Sequence, residues 1–332
     1  MRLLTALLVI TAPVVASAND GGFSYHAGAI DGKYPIQMTL SRSFSDMMGS
    51  YFYLSKGEII DLEGTVEDEA VVLTETVEGK ETGVFRGTFG ENGTTLEGTW
   101  STPDGAKEMP FRVERFGYQY LEERQLRIKD QPISISMGYP VFEWGGGAKE
   151  QALNGLVTDW IHLREKGFVN DATEMIAPDF HAEYSIDIGA DVLYFSRDGF
   201  ASVLFYVYTY TGGAHGMTTY AALNVSLRGD AATAVSLSDL FTPDGLKKLS
   251  DACIADLKKQ EASGVVDGGV DSLDADALSD FTLSPRGITI YFEPYAVASY
   301  AEGPFEVTIA FDSLANELKP DALKGTGLLN DD

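Results

Sequence analysis

One five-residue pattern occurs three times near the start of the chain, as Leu62-Glu63-Gly64-Thr65-Val66, Phe85-Arg86-Gly87-Thr88-Phe89 and Leu96-Glu97-Gly98-Thr99-Trp100. Each copy has an apolar residue, a charged residue, Gly-Thr and a second apolar residue. This alternation has a period of two, which is the period of a β-strand with one buried face. A glycine at the same point of each copy relieves crowding where strands coil. The pattern therefore predicts strands, and no helical period interrupts it.

Turn-forming dipeptides separate these strands. They suit tight hairpins and are Lys56-Gly57, Glu78-Gly79, Asn92-Gly93 and Asp104-Gly105. We therefore predict an all-β meander module over residues 19–115. Its composition resembles the small Gly-rich meander modules of bacterial exported proteins and, more loosely, calycin-like barrels.

The rest of the chain combines strands with helices. Residues 116–129 contain several of the scarce positive charges and are predicted to be a charged connector. Apolar residues recur at helical spacing over about 148–166 and again over about 244–260. Residues 261–280 are acidic and Gly-rich, which predicts a mobile loop. The predicted fold class is α+β, with helices packed on an antiparallel sheet over residues 130–328.

The first eighteen residues have the features of a cleavable export signal. Arg2 supplies a positive charge, residues 3–15 are mainly apolar, and Ala16-Ser17-Ala18 is a typical cleavage site. We expect cleavage after Ala18 and a periplasmic or secreted protein. No later apolar run approaches the ~20 residues that cross a bilayer, so no transmembrane segment is predicted.

The charge of the chain restricts its partners. It has 24 Lys and Arg against 50 Asp and Glu, a formal net charge of −26. Nucleic acid is excluded as a partner, because phosphate binding needs clustered Lys and Arg. A strongly acidic surface instead attracts cationic partners.

A strand followed by a glycine-rich turn is the most distinctive candidate site. It reads Tyr208-Thr209-Tyr210-Thr211-Gly212-Gly213-Ala214-His215-Gly216. The glycines allow a projecting turn that presents His215, and the tyrosines lie on one face of the strand. Exposed tyrosines would form a binding platform. The alternatives are tyrosines that pack in the core and a His215 that only stabilises the turn.

This segment resembles part of a known extracellular domain. Residues 208–216 and 281–304 are similar to the extracellular domain of RsiV-type anti-sigma factors. The same domain, of unknown function, accompanies the catalytic domain of PdaC-type peptidoglycan deacetylases. Residues 135–142 and the helix that carries Asn154 resemble its amino-terminal part. The resemblance spans about residues 130–315 and leaves the β module outside.

The resemblance implies a role at the cell wall. RsiV-type proteins bind lysozyme through this domain, and the deacetylases use it as an accessory to catalysis. Metal-dependent deacetylation needs a His-x-x-x-His pair, which His26, His162, His181 and His215 do not form. We therefore predict a non-catalytic envelope protein, without metal or cofactor, that recognises a cationic partner such as lysozyme. The alternative is an accessory or enzymatic module that acts on peptidoglycan or other cell-wall glycans.

The predicted binding surface combines the two segments that carry the resemblance. Its members are Tyr208, Tyr210, Thr211, Gly212, Gly213, His215, Tyr295 and Tyr300. No Ser or Cys stands near them at the spacing of a catalytic motif, so no catalytic residue is predicted. The acidic loop 267–276 does not have the ligand spacing of an EF-hand, and Cys253 lies on the apolar face of a helix, which predicts a buried thiol.

Overall fold

The amino-terminal module is a closed eight-stranded barrel. The computed structural model describes residues 22–176 and 183–328, so the predicted export signal lies outside the described residues. Each strand is antiparallel to the next, and the first also pairs with the eighth. The all-β prediction is confirmed, but the module is a barrel rather than a meander, since this last pairing closes the sheet. The strands are β1 (Phe23–Ile30), β2 (Tyr34–Ser43), β3 (Asp46–Tyr53), β4 (Ile60–Glu67), β5 (Ala70–Val77), β6 (Lys80–Phe89), β7 (Thr95–Ser101) and β8 (Glu108–Ile128).

The repeated glycines permit close contact between neighbouring strands. A Cβ atom at Gly64 would overlap the carbonyl oxygen of Val72 on β5, and one at Gly98 would overlap that of Arg86 on β6. Only glycine fits at such positions without displacing the adjacent backbone. The pattern identified in the sequence therefore marks places where neighbouring strands of the barrel approach each other closely.

Side chains fill the interior of the barrel. Most are apolar, but the buried carboxylate of Glu75 accepts hydrogen bonds from the Tyr51 hydroxyl and from Trp100 Nε1, the latter at 3.0 Å. A Cβ at Gly83 would collide with both Glu75 and Trp100. Because a buried polar group needs hydrogen-bonding partners, these two donors stabilise Glu75 inside the wall.

Strand β8 connects the barrel to the rest of the molecule. Its first part pairs with β7 and β1, and residues 117–128 pair with β9 (Gln131–Phe142). Residues 116–129, predicted as a charged connector, thus lie almost entirely in a regular strand. Arg124 in this segment forms an ion pair with another element, since its Nη2 lies 2.6 Å from Glu165 Oε1 on the helix that follows β9. The many charged side chains in this segment concealed the two-residue period of the strand in the sequence.

The main sheet continues beyond β9 and carries a long helix on one face. The helix α1 (Ala148–Met175) extends nine residues past its predicted end, because Phe168 and Ala172 continue its buried side. It connects β9 to β10, which pair in parallel, so the predicted antiparallel sheet has one parallel pair. The other strands are antiparallel. They are β10 (Tyr184–Phe195), β11 (Phe200–Thr211), β12 (Met217–Ser226) and β13 (Thr233–Ala234).

A three-stranded antiparallel sheet packs on the other face of β11 and β12. Ser202 Oγ accepts a hydrogen bond from Leu283 N at 3.0 Å, and Asn224 Nδ2 donates to Phe281 O at 2.6 Å. Leu273 and Leu278 are buried, so the segment predicted as a mobile loop is anchored. The α+β class is confirmed. This layer contains α2 (Leu237–Leu240), α3 (Pro243–Lys259), α4 (Ser263–Val266), β14 (Phe281–Ser284), β15 (Gly287–Phe292), a 3₁₀ turn (Tyr300–Glu302), β16 (Phe305–Ile309) and α5 (Phe311–Leu314).

The barrel and the second half pack directly against each other. Tyr25 on the outer wall stacks on Phe116, with ring centroids 6.1 Å apart, and both belong to the core beneath α1. Gln37 on β2 forms hydrogen bonds with the backbone of β10. Over the described residues, no helix is both long and apolar enough to cross a membrane.

Candidate functional site

The alternation of strand β11 determines which tyrosines can reach the surface. Phe205 and Val207 point towards α1 and are buried, and the Phe205 ring stacks on Trp160 with centroids 4.0 Å apart. Tyr208 and Tyr210 therefore lie on the opposite face. Tyr208 is 39% exposed, whereas the Tyr210 hydroxyl donates to Gly213 O at 2.9 Å and fastens the turn.

The glycine-rich turn brings His215 to the surface. Gly212 has a φ of +83°, a conformation that favours glycine, whereas Gly213 and Gly216 do not have positive φ. Gly216 is required for a different reason, because a Cβ there would overlap the Tyr208 ring. His215 Nδ1 lies 2.9 Å from Gly216 O. Since a carbonyl only accepts, Nδ1 carries the proton in this contact.

The carboxyl-terminal segment meets this turn. The His215 ring stacks on Tyr300 with centroids 4.1 Å apart and planes inclined by 25°, and the Tyr300 hydroxyl donates to Gly216 O at 3.0 Å. Tyr295 lies next to Tyr300, with centroids 5.5 Å apart. Tyr208, Tyr210, His215, Tyr295 and Tyr300 thus belong to one connected patch, which we call the aromatic surface. Thr211 is exposed beside it.

Tyr295 is the most unusual member of the aromatic surface. Its side chain is 61% exposed and its backbone φ is +76°. A positive φ is uncommon for a bulky residue, and such strained positions concentrate at functional sites. The surrounding fold thus holds a large aromatic ring in solvent at an energetic cost.

Sequence reasoning missed the acid that fixes Tyr300. Glu302 accepts hydrogen bonds from Ser299 N at 2.9 Å, Ser299 Oγ at 2.7 Å and Ser263 Oγ at 2.6 Å. Together with the helical turn, Ser299 and Glu302 form a capping box. These hydrogen bonds from Ser263 and Ser299 lower the pKa of Glu302 to about 2. The Ser-x-x-Glu spacing was the available signal in the sequence.

Tyrosines and carboxylates lie along the outer edge of β12. Tyr220 stacks on Tyr291 with centroids 5.7 Å apart, and its backbone N–H donates to Glu293 Oε1 at 3.3 Å. Asp280 accepts from the backbone of Ala222, and burial, followed by repulsion from Glu293, raises the pKa of Asp280 to about 6. Side-chain acids thus occupy the outer edge of β12 and block the addition of another strand.

The remaining candidate residues lie away from this surface. Cys253 is buried in α3, and burial raises the pKa of its thiol to about 12. His26 lies inside the barrel, and His181 falls outside the described residues. Among the residues described, no group of three or more His, Cys, Asp or Glu side chains is arranged to hold a metal ion.

Two family models match the half of the chain that contains the aromatic surface. Residues 127–218 match the family described as deacetylase PdaC, and residues 238–312 match DUF3298, a family of unknown function. The second half resembles a PdaC–DUF3298 unit. The aromatic surface joins the two matched segments of that unit, since Tyr208 lies in the first and Tyr300 in the second. The barrel lies outside both matches, apart from the end of β8.

Solved structures of DUF3298 proteins are similar to the chain. One from Bacteroides fragilis is 20% identical, with a TM-score of 0.46, and the alignment covers 63% of this chain and 95% of that one. Another from Pseudomonas aeruginosa PAO1 is 19% identical, with the same TM-score, and covers 62% and 94%. No curated protein matches the sequence.

Proposed function

We propose that this protein is an exported binding protein of the cell envelope whose aromatic surface docks a cationic, lysozyme-like protein. The observation that carries the proposal is the convergence of two distant segments on exposed aromatic rings. Tyr208 and His215 come from the β11–β12 hairpin, while Tyr295 and Tyr300 come from the segment after β15. Tyrosine is enriched at the energetic centres of protein interfaces.

The preorganisation of the aromatic surface supports binding to a protein. Tyr300 is held through its hydroxyl and its ring, and Glu302 fixes the turn that carries it. Rings already ordered in the free protein lose little conformational entropy when a partner binds. This ordering favours recognition of a defined surface on the partner.

The charge supports a cationic partner. The chain has a formal net charge of −26, and Glu293 and Glu302 lie in the segment that forms the aromatic surface. Electrostatic complementarity of this kind mainly accelerates association. Since the Debye length falls from ~10 Å at 0.1 M salt to ~3 Å at 1 M, the interaction should weaken strongly at high salt.

Retention on immobilised lysozyme tests the proposal. We expect the purified protein to be retained at low salt and released at high salt. Replacing Tyr295 by alanine should weaken binding roughly tenfold, as for a central interface aromatic. The matched control is Tyr34→Ala, because Tyr34 is 44% exposed on the barrel, away from the aromatic surface. Equal retention of both variants would place the site elsewhere, and no retention of the wild type would exclude a lysozyme partner.

The second candidate function is an accessory or enzymatic role on cell-wall glycans. The match of residues 127–218 to a family described as a deacetylase favours it. In the same assay, retention on purified peptidoglycan without retention on lysozyme would support this second function. Turnover of muropeptides that disappears in His215→Ala would identify an enzyme.

A further inference from the structure

A pocket opens at one end of the barrel, far in sequence from the aromatic surface. Its volume is about 400 Å³, within the roughly 300–1,000 Å³ of small-molecule sites. Mouths of β-barrels are common places for such sites. Leu40, Met47 and Phe89 provide its apolar wall. We call this the mouth pocket.

Two arginines enter the mouth pocket from the inner side of the wall. Arg42 follows the inward-facing Met38 and Leu40 on β2, and Arg115 follows the inward-facing Val113 on β8. Because successive side chains of a strand point to opposite faces, both arginines lie on the inward-facing side of their strands. Arg42 donates through Nε to Phe44 O, so its terminal nitrogens are available to a ligand. Arg115 Nη2 also lies 3.3 Å from Glu143 Oε2, so part of this guanidinium group is already paired. A guanidinium group holds a carboxylate through two parallel hydrogen bonds, which makes Arg42 the main anchor for a carboxylate in this pocket.

A buried histidine with an unused acceptor lies below the mouth pocket. Ser24 lines the pocket, and its hydroxyl donates to Leu40 O at 3.2 Å. The contact of 3.0 Å between Ser24 Oγ and His26 Nε2 therefore uses the proton of the ring nitrogen. This leaves Nδ1 as an acceptor, and it has no hydrogen-bond partner within the described part of the chain. His26 is 1% exposed.

The histidine is neutral at physiological pH. Burial, followed by repulsion from Arg115, lowers the pKa of His26 to about 3. Its Nδ1 therefore remains an acceptor rather than a second donor. A buried acceptor that has no partner costs free energy. His26 does not itself line the mouth pocket, and it is connected to the pocket through Ser24.

Acidic residues from the turns complete the mouth pocket. Asp68 and Glu69 come from the β4–β5 turn, and Glu91 comes from the β6–β7 turn. The pocket thus combines guanidinium donors, carboxylate acceptors and an apolar wall. A simple anion would use only the guanidinium donors, and the net charge of −26 would repel it. A zwitterion has no net charge and can use all three.

We propose that the mouth pocket binds a small zwitterion with an apolar side chain, of the amino-acid class. Its carboxylate pairs with Arg42 and Arg115, and its ammonium group is directed to the acceptors provided by the acidic turns. Its apolar body packs on Leu40 and Phe89. This site is independent of the aromatic surface, and either can fail without the other.

Calorimetric titration of the full chain tests the proposal with three related probes. Phenylalanine carries both charges, phenylalaninamide lacks the carboxylate, and N-acetylphenylalanine lacks the ammonium group. We expect phenylalanine to bind at least about tenfold more tightly than either derivative, because each loses a charge-assisted hydrogen-bonding group. Arg42→Gln should weaken phenylalanine binding roughly tenfold. Arg86→Gln is the matched control, since Arg86 is exposed on the outer wall.

Each alternative outcome overturns the proposal in a recognisable way. Equal binding of N-acetylphenylalanine would indicate an anion site. Equal binding of phenylalaninamide would indicate general attraction to an acidic surface. Absence of binding, or equal effects of Arg42→Gln and Arg86→Gln, would show that the mouth pocket is not a zwitterion site. Thermal unfolding of both variants controls for folding, and Arg42 is exposed, so its replacement leaves the barrel core intact.

Discussion

Gln37 is the most informative position for the contact between the barrel and the second half. It is 2% exposed, although it lies on the outer wall of the barrel. Its Nε2 donates to Val192 O at 3.3 Å, and its Oε1 accepts from Phe195 N at 2.9 Å. Gln37→Leu has a similar size and removes both hydrogen bonds. One carbonyl and one N–H of β10 then lose their partner.

The expected destabilisation follows from these two backbone groups. Each buried group left without a partner costs about 1–3 kcal/mol, and leucine recovers part of this by burial. We expect the free energy of unfolding to fall by roughly 2–5 kcal/mol. Urea unfolding followed by circular dichroism measures it, with the exposed Gln125→Ala as control. A loss below about 0.5 kcal/mol would refute the reasoning, because it would mean that water already satisfies these groups.

Three other perturbations test the remaining parts of the structure. The lowered pKa of Glu302 means that its stabilisation is present above the ordinary carboxyl pKa and is lost as the pH falls through about 2. A carbon-13 NMR titration should give that midpoint, and a value above 4 would contradict the hydrogen bonds that hold the Tyr300 turn. Gly216→Ala should displace the Tyr208 ring and weaken lysozyme retention roughly tenfold, and unchanged retention would remove Tyr208 from the interface. Cys253 should resist a thiol reagent at pH 8 until the protein is unfolded, since burial raises its pKa to about 12, and rapid labelling of the folded protein would contradict that burial.

Part of the candidate site could be predicted from local sequence patterns. The alternation along β11 correctly predicted that Tyr208 and Tyr210 share one face of the strand, because it depends only on strand geometry. The glycine turn was also correctly located, but only Gly212 uses positive φ. Glu302 was missed, although its spacing from Ser299 matches a capping box, because the short 3₁₀ turn gives no helical periodicity to draw attention to it.

The charged second part of strand β8 could not be predicted from its local sequence pattern. Residues 117–128 of β8 were predicted as a connector because their charges concealed the alternation of a strand. In the folded chain, Arg124 pairs with Glu165 on α1, so a charge that suggested solvent contributes to packing between elements. Similarly, α1 continues to Met175 because tertiary contacts bury Phe168, beyond the regular apolar stripe.

The sequence by itself determined the local properties of this protein: its strand and helix periods, the positions of its turns and its acidic charge. Those properties depend on neighbouring residues, so they can be derived from spacing and composition. Only the tertiary structure decided that β1 closes on β8, that β9 and β10 run parallel, and that Tyr300 meets Gly216, 84 residues earlier in the chain. The physical reason is that a period states which face of an element is buried but not which element covers it. That choice depends on the packing of the whole core.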